Sequence, residues 1–334
     1  MKNYDSVPLS VLDLSPITQN STVAHSLHRS RELAQLAERK GYFRYWMAEH
    51  HNMPDIASAS TTVALSHIGA HTSTIRIGSG GIMLPNHAPL IVAEQFGTLD
   101  ALYPGRVDMG LGRAPGTDQL TMRALRRDSM SRGLDFPDQL DELMALMAPP
   151  APRQMLRAIP GSGSDVPVWL LGSSTFSARL AAHKGLPLAF AAHFAPDAMN
   201  EAINTYRREF KPSAQLQQPY VLICVNIVAA ESASQAEYLS STEQQKFLNL
   251  IRGVNVQLPP PLEEMDELWT NHEKAAVASL LRESIWGDKA IVRERLQSLA
   301  ERTGTDEIMV NSWIYDHQAR LNSYEIAIDA WRSL

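Results

Sequence analysis

Hydrophobic positions fall into short runs and helical stripes that alternate from the start of the chain. An apolar run over 7–14 ends at Ser15-Pro16 and predicts a first strand. Residues 22–40 carry Val23, Leu27, Leu33, Leu36 and Ala37 at helical spacing, and Gly41 follows as a natural stop. An aromatic-rich strand is predicted over 43–51, a helix over 59–71, and a strand over 75–84 that closes at Pro85. The helical pattern over 90–102 stops at Tyr103-Pro104-Gly105, and 106–112 gives a fourth strand. Strand and helix thus alternate four times in about 110 residues, the signature of βαβ units and a parallel sheet.

The middle of the chain is less regular. Residues 114–133 read as a long loop and 137–147 as a helix. The stretch 149–167 is rich in Pro, Gly and Ser and reads as an excursion, with a short strand over 154–158 as an option. Strands then return over 166–172, 186–194 and 220–230, with helices over 175–184 and 197–210. Helices over 233–250 and 262–282 are split by Gly253 and Pro259-Pro260-Pro261. A helix over 288–302, a strand over 307–315 and a helix over 318–331 finish the pattern. Eight strands, most followed by a helix, with no break in composition, predict one α/β domain over residues 1–334. The architecture expected is a closed (β/α)8 TIM barrel with insertions after the fourth and the seventh strand.

Composition narrows the chemistry. With 334 residues, 44% hydrophobic and 20% charged, the chain can bury a large core. The net charge of −6 is spread over interleaved signs with no basic stripe, which argues against nucleic acid and acidic membranes as partners. Cys224 is the single cysteine and sits in the run Val221-Leu222-Ile223-Cys224-Val225, so a buried inert thiol is expected. No disulfide within the chain is then possible, which fits a reducing cytoplasm. Met1-Lys2-Asn3-Tyr4-Asp5 leads into a strand and not into a signal-peptide core. No apolar run approaches the ~20 residues of a membrane span.

Candidate chemistry begins at Glu49-His50-His51, placed at the C-terminal end of the second strand, where parallel barrels carry their sites. Strand alternation would put Glu49 and His51 on one face and His50 on the other. The alternative is a surface strand end with solvated charges. A metal-dependent barrel hydrolase is a rival reading, but the first strand has no His-x-His and adjacent strand residues diverge, so no metal is expected. Gly78-Ser79-Gly80-Gly81 interrupts the third strand and marks a bulge or a close approach of ligand to backbone. Arg113 follows Gly110-Leu111-Gly112 and could grip phosphate or pair with a neighbouring loop. Ser173-Ser174-Thr175-Phe176-Ser177 joins a strand to a helix, and such a start can hold an anion or simply be capped by Ser173 or Ser174. His67, His71, His87, His183 and His193 are scattered, and most are expected to be structural or exposed.

Taken together, Trp46-x-x-Glu49-His50-His51 and Ile77-Gly78-Ser79-Gly80-Gly81-Ile82-Met83-Leu84-Pro85 resemble the bacterial luciferase-like flavin-dependent monooxygenases. Ala93-Glu94-Gln95, Leu99-Asp100 and Gly105-Arg106-x-x-x-Gly110-x-Gly112-Arg113 extend the likeness, and 166–193 and the last β/α unit also fit. The resemblance implies a barrel that binds reduced FMN at its C-terminal face, with the flavin ring against a non-proline cis peptide that maps to Gly80–Gly81. It makes His50 the active-site histidine, with Glu49 orienting its neighbours. It places the phosphate at Arg113, Ser173, Ser174, Thr175 and Ser177 and the amides of that helix start. Bacterial luciferase has glutamate at the position of Ser173 and cysteine at that of Gly112, so neither light emission nor an aldehyde substrate is implied.

The implied activity is a two-component monooxygenase: a separate flavin reductase supplies reduced FMN, and O2 is the co-substrate that oxygenates a small organic molecule. Two other readings stay open. One is a deazaflavin (F420)-dependent dehydrogenase on the same barrel, and the other a non-catalytic flavin-binding protein. A homodimer through the helices over 59–71 and 90–102 is expected from the resemblance. The segment 253–261 or the loop after Arg113 is the expected lid.

Overall fold

The computed structural model describes residues 7–114, 119–125 and 135–332. Residues 1–6, 115–118, 126–134 and 333–334, which include much of the loop predicted over 114–133, lie outside the described residues.

In chain order the elements are β1 (Leu9–Asp13), α1 (Val23–Lys40), β2 (Arg44–Met47), α2 (Thr61–Ala70), β3 (Arg76–Ser79), β4 (Ile82–Met83), α3 (Pro89–Leu102) and β5 (Val107–Gly112). There follow α4 (Gln119–Ala124), α5 (Phe136–Met147), β6 (Val168–Gly172), α6 (Thr175–Lys184), β7 (Leu188–Ala191), α7 (Met199–Glu209) and β8 (Val221–Ala229). The chain ends with α8 (Ala233–Arg252), α9 (Asn271–Leu280), β9 (Ile285–Gly287), α10 (Lys289–Thr303), β10 (Glu307–Asn311) and α11 (His317–Arg332).

Strands β1, β2, β3, β5, β6, β7, β8 and β10 pair in parallel in that order, and β10 returns to β1 to close the barrel. Register is tight: Val11 stands opposite Tyr45 on one side and Val310 on the other. The insertions fall between β5 and β6 and between β8 and β10, as the hydrophobic pattern predicts. One short strand, β9, escapes that pattern, whereas β4 lies within the strand predicted over 75–84. β4 resumes pairing with β5 after the interruption at Gly80–Gly81, and β9 extends the barrel by pairing with the upper half of β8. Several readings need correction: the helix over 262–282 begins only at Asn271, and the strand over 307–315 ends at Asn311. Residues 154–158 hold no strand, the loop after Arg113 contains α4, and the second strand ends at Met47 rather than at 51.

The helices start and stop where their end residues satisfy the backbone. The Thr22 side chain accepts from the His25 amide at the start of α1, and Gly41, at φ 75°, takes the left-handed turn at its end. Its buried face is Leu33, Ala34, Leu36 and Ala37, whereas Val23 is exposed. Asp288 caps α10 through the amides of Ala290 and Ile291. Outward-facing strand residues such as Tyr45, Ile77 and Ile223 meet these helices in one continuous core.

Inside the barrel the lower end is ionic. Arg44 of β2 reaches Asp108 of β5 and Glu307 of β10, each at 2.7 Å, all three buried. Trp46 and Arg76 also donate to Asp108, and Ser10 and Tyr220 donate to Glu307. Burial works against the Arg44 charge, but the two carboxylates outweigh it and hold the guanidinium above its ordinary range. Above this layer the interior turns apolar, with Leu12, Trp46, Trp169, Leu222 and Met309 packed together.

Candidate active site

Above that apolar floor a cavity of about 450 Å³ opens at the C-terminal end of the strands. Its deepest lining residues are Leu12, Trp46, Leu222, Cys224 and Met309, so the bottom offers no charge. Burial pushes the Cys224 thiol well above its usual range, which leaves it an inert wall residue, as expected from its apolar surroundings.

One side wall is built by glycines. The peptide between Gly80 and Gly81 is cis. A Cβ on Gly110 would come within 2.0 Å of the Ser79 carbonyl oxygen, and one on Gly81 within 2.8 Å of the Gly110 oxygen. Only glycine lets β3 and β5 approach this closely while leaving bare backbone toward the cavity.

Glu49 stands behind this wall and is not a lining residue. It is buried and collects the Met83 amide at 3.1 Å, the Asn86 side-chain amide at 3.2 Å, and ring nitrogens of His51 and His87 at 2.7 and 2.9 Å. Burial raises its pKa, but His87, His51 and Asn86 outweigh that, and the carboxyl sits below its ordinary value. The backbone joins in, since the Glu49 amide donates to the Gly81 carbonyl at 3.0 Å. Glu49 is therefore tied to the glycine wall from outside by its side chain and its backbone. His50 and His51 both line the cavity, because the chain has left strand geometry after Met47 and no longer alternates.

The opposite end gathers hydroxyls and a guanidinium around a helix start. Gly172 ends β6, and a Cβ there would strike Ser177 at 2.3 Å. Ser174 is the first residue of the α6 turn, yet its side chain makes no capping bond. Simple N-capping is thus not what these hydroxyls do. Among the described residues, the hydroxyls of Ser173, Ser174 and Ser177 have no protein hydrogen-bond partner, and all three residues line the cavity. Arg113 lines it too, with its guanidinium stacked 4.1 Å over the Phe176 ring and no ion pair among the described residues. Stacking spends the face of the guanidinium and leaves its N–H edge for a ligand. Thr175, the first helical residue of α6, is not a lining residue.

Two histidines carry more than their scatter in the sequence suggests. His87 is the second imidazole on Glu49. His193 lines the cavity near His50; burial and the neighbouring His50 push its pKa down to about 3, so it is a neutral imidazole. Its backbone carbonyl accepts from Asn226 of β8 at 2.7 Å. Neither contact could be read from spacing, since the partners lie 38 and 33 residues away. Asn255, from the segment 253–261, also reaches the cavity.

Comparison with known proteins agrees with this geometry. The profile of the luciferase-like monooxygenases matches residues 8–307. A luciferase-like monooxygenase of Escherichia coli strain K12 is 53% identical over 330 residues, 98% of each chain. The N-acetyl-S-alkylcysteine monooxygenase of Bacillus subtilis is 32% identical over 97% of this chain and 98% of its own. The crystal structure of apo-MsnO8 superposes with a TM-score of 0.91 at 36% identity, covering 97% of this chain and 98% of that one. A closed parallel barrel, a glycine-built wall at its mouth and a match along nearly the whole chain lead to one statement: the protein belongs to the luciferase-like monooxygenase family.

Proposed function

We propose that this protein is an FMN-dependent monooxygenase of the two-component type, receiving reduced FMN from a separate flavin reductase. The observation that carries the reading is the division of the cavity. Arg113 and three unpartnered hydroxyls form an anion-binding end, and the remainder is an apolar slot beside bare glycine backbone. A dianionic phosphate on a flat, mostly apolar ring system matches both halves. In this reading Ser174, Ser177 and the first amides of α6 bind the phosphate with Arg113, and Gly80–Gly81 faces the ring. Reduced FMN, when bound, supplies the two electrons that let O2 give one oxygen atom to the substrate and the other to water.

The chain's own contribution is position and proton handling. Glu49 keeps the glycine wall in place, and the apolar floor excludes water from the reacting centre. His50, on the cavity wall, is assigned hydrogen bonding or proton exchange beside the ring, because an imidazole moves protons near neutrality. The substrate is a small organic molecule. The Bacillus relative, named for oxygenation of a thioether-bearing amino acid, makes a sulfur substrate the first to try. A homodimer through α2 and α3 belongs to the same proposal.

The test is an anaerobic spectroscopic titration with reduced FMN, followed by air. Saturable binding and delivery of oxygen to a supplied thioether support the reading. Preference for a deazaflavin would replace it with a dehydrogenase, and tight flavin binding without oxygen transfer to any substrate would favour a binding protein. His50→Ala should keep FMN affinity while turning oxygen uptake into hydrogen peroxide release. Unchanged product yield would remove His50 from the chemistry.

A further inference from the structure

The segment between β8 and β10 builds a second cavity, of about 660 Å³, that shares no lining residue with the barrel cavity. Its walls are aromatic: Tyr238 comes from α8, Trp269 from the turn before α9, and Trp286 from β9. Both indole N–H groups are already engaged within the protein. Trp286 Nε1 donates to the buried Glu243 at 2.8 Å, and Trp269 Nε1 donates to Asp266 at 3.0 Å. What the two indoles still offer a ligand is π surface and not a donor, one face of Trp269 being shared with Lys274.

The net charge of the residues lining this cavity is negative. Glu237, Glu263 and Glu264 line it, are exposed, and have no ion pair among the described residues. Among the described residues, Lys274 is the only cation that lines it. Its ammonium stands 5.8 Å over the Trp269 ring and donates to Asp266 at 2.6 Å, so it neutralises that carboxylate alone. Aromatic faces attract a cation most where the surrounding charge is negative and partly desolvated. A bare metal ion is a poor match, since among the described residues no three His, Cys, Asp or Glu side chains gather as ligands. Met265, Val277 and Leu281 add an apolar base instead.

We infer that this second cavity is a binding site for an organic monocation, an amine or quaternary ammonium carrying an apolar or aromatic body. The site stands apart from the flavin reading and holds whether or not that reading does.

The test uses the full chain with its six tryptophans replaced by 5-fluorotryptophan, titrated with benzyltrimethylammonium and followed by fluorine NMR. Single Trp→Phe variants assign the signals. The Trp269 and Trp286 signals should move together and saturate, while those of Trp46 and Trp169 in the barrel stay still. Benzyl alcohol, similar in shape but uncharged, should bind about tenfold more weakly. The exposed pair Glu263→Gln and Glu264→Gln should weaken the ammonium severalfold, and added salt should do the same in the unmodified chain. Movement of Trp46 alone would place the ligand in the barrel and overturn the inference. Equal affinity for the alcohol, or no saturable change at Trp269 and Trp286, would overturn it as well.

Discussion

The Glu49 carboxylate lies 2.9 Å from Nε2 of His87, and through this contact the end of β2 holds the segment that follows β4. With the bonds from His51, Met83 and Asn86, one buried carboxylate secures both sides of the glycine wall. Its folded-state pKa lies below the ordinary carboxyl value. Its contribution to stability is therefore complete above that ordinary value and is lost as pH falls through the folded one. Glu49→Gln should cost about 3 kcal/mol at pH 7, since several charge-assisted bonds weaken together. Urea unfolding checks this, and the gap to the unmodified protein should narrow below about pH 4.

Arg113 tests the anion end. Arg113→Ala should weaken FMN binding by about tenfold to a hundredfold, the weight of one or two charge-assisted bonds. Riboflavin, which lacks the phosphate, should bind both proteins alike. Arg113→Lys should recover only part of the loss, because lysine cannot both stack on Phe176 and present a planar fork. Unaltered FMN affinity in Arg113→Ala would take this residue out of the phosphate site.

Glu243 gives a pH dependence of the opposite sign. It is fully buried with only Ser284 and Trp286 as donors among the described residues, and burial raises its pKa to about 7. A carboxyl whose folded value exceeds its unfolded one favours folding only while protonated. Stability therefore falls as pH rises from about 4.5 toward 7 and stays reduced above that. Glu243→Gln mimics the protonated form, donating to Ser284 and accepting from Trp286. Thermal melts should show it more stable than the unmodified protein at pH 8 by up to about 3 kcal/mol, and little changed at pH 5.

The proposed dimer concerns a different surface. Val63 on α2 and Ile91 and Leu102 on α3 are large apolar side chains left 68%, 45% and 57% exposed. Val63→Glu with Ile91→Glu should shift sedimentation from dimer to monomer without lowering the melting temperature of the monomer by more than about 4 °C. A monomeric unmodified chain would end this part of the proposal.

The fold was legible where the chain writes it locally. Thr22 and Gly41 bound α1 through contacts within a few residues, and the alternation of apolar runs places all eight barrel strands near their observed positions. The serine-rich strand-to-helix turn that carries the proposed anion end was legible for a similar reason, since such a turn is a local motif. What stayed hidden depends on partners far apart in the chain. Arg44 meets Glu307 across 263 residues, and neither the strand pattern nor composition marks such a pair. Glu49 reads as a catalytic candidate because it precedes His50, yet its partners Asn86 and His87 turn it away from the cavity. The overlooked β9 has three residues and forms only because β8 runs on past the barrel and offers a free edge.

The ionic layer at the base of the barrel has a bearing on how such a chain can change. Arg44, Asp108 and Glu307 are contributed by three distant strands, and loss of any one strands a charge away from water, a penalty of several kcal/mol. Innovation is thereby steered upward. The lower half behaves as a locked foundation, and new reactants must be accommodated by rewriting the loops around the rim.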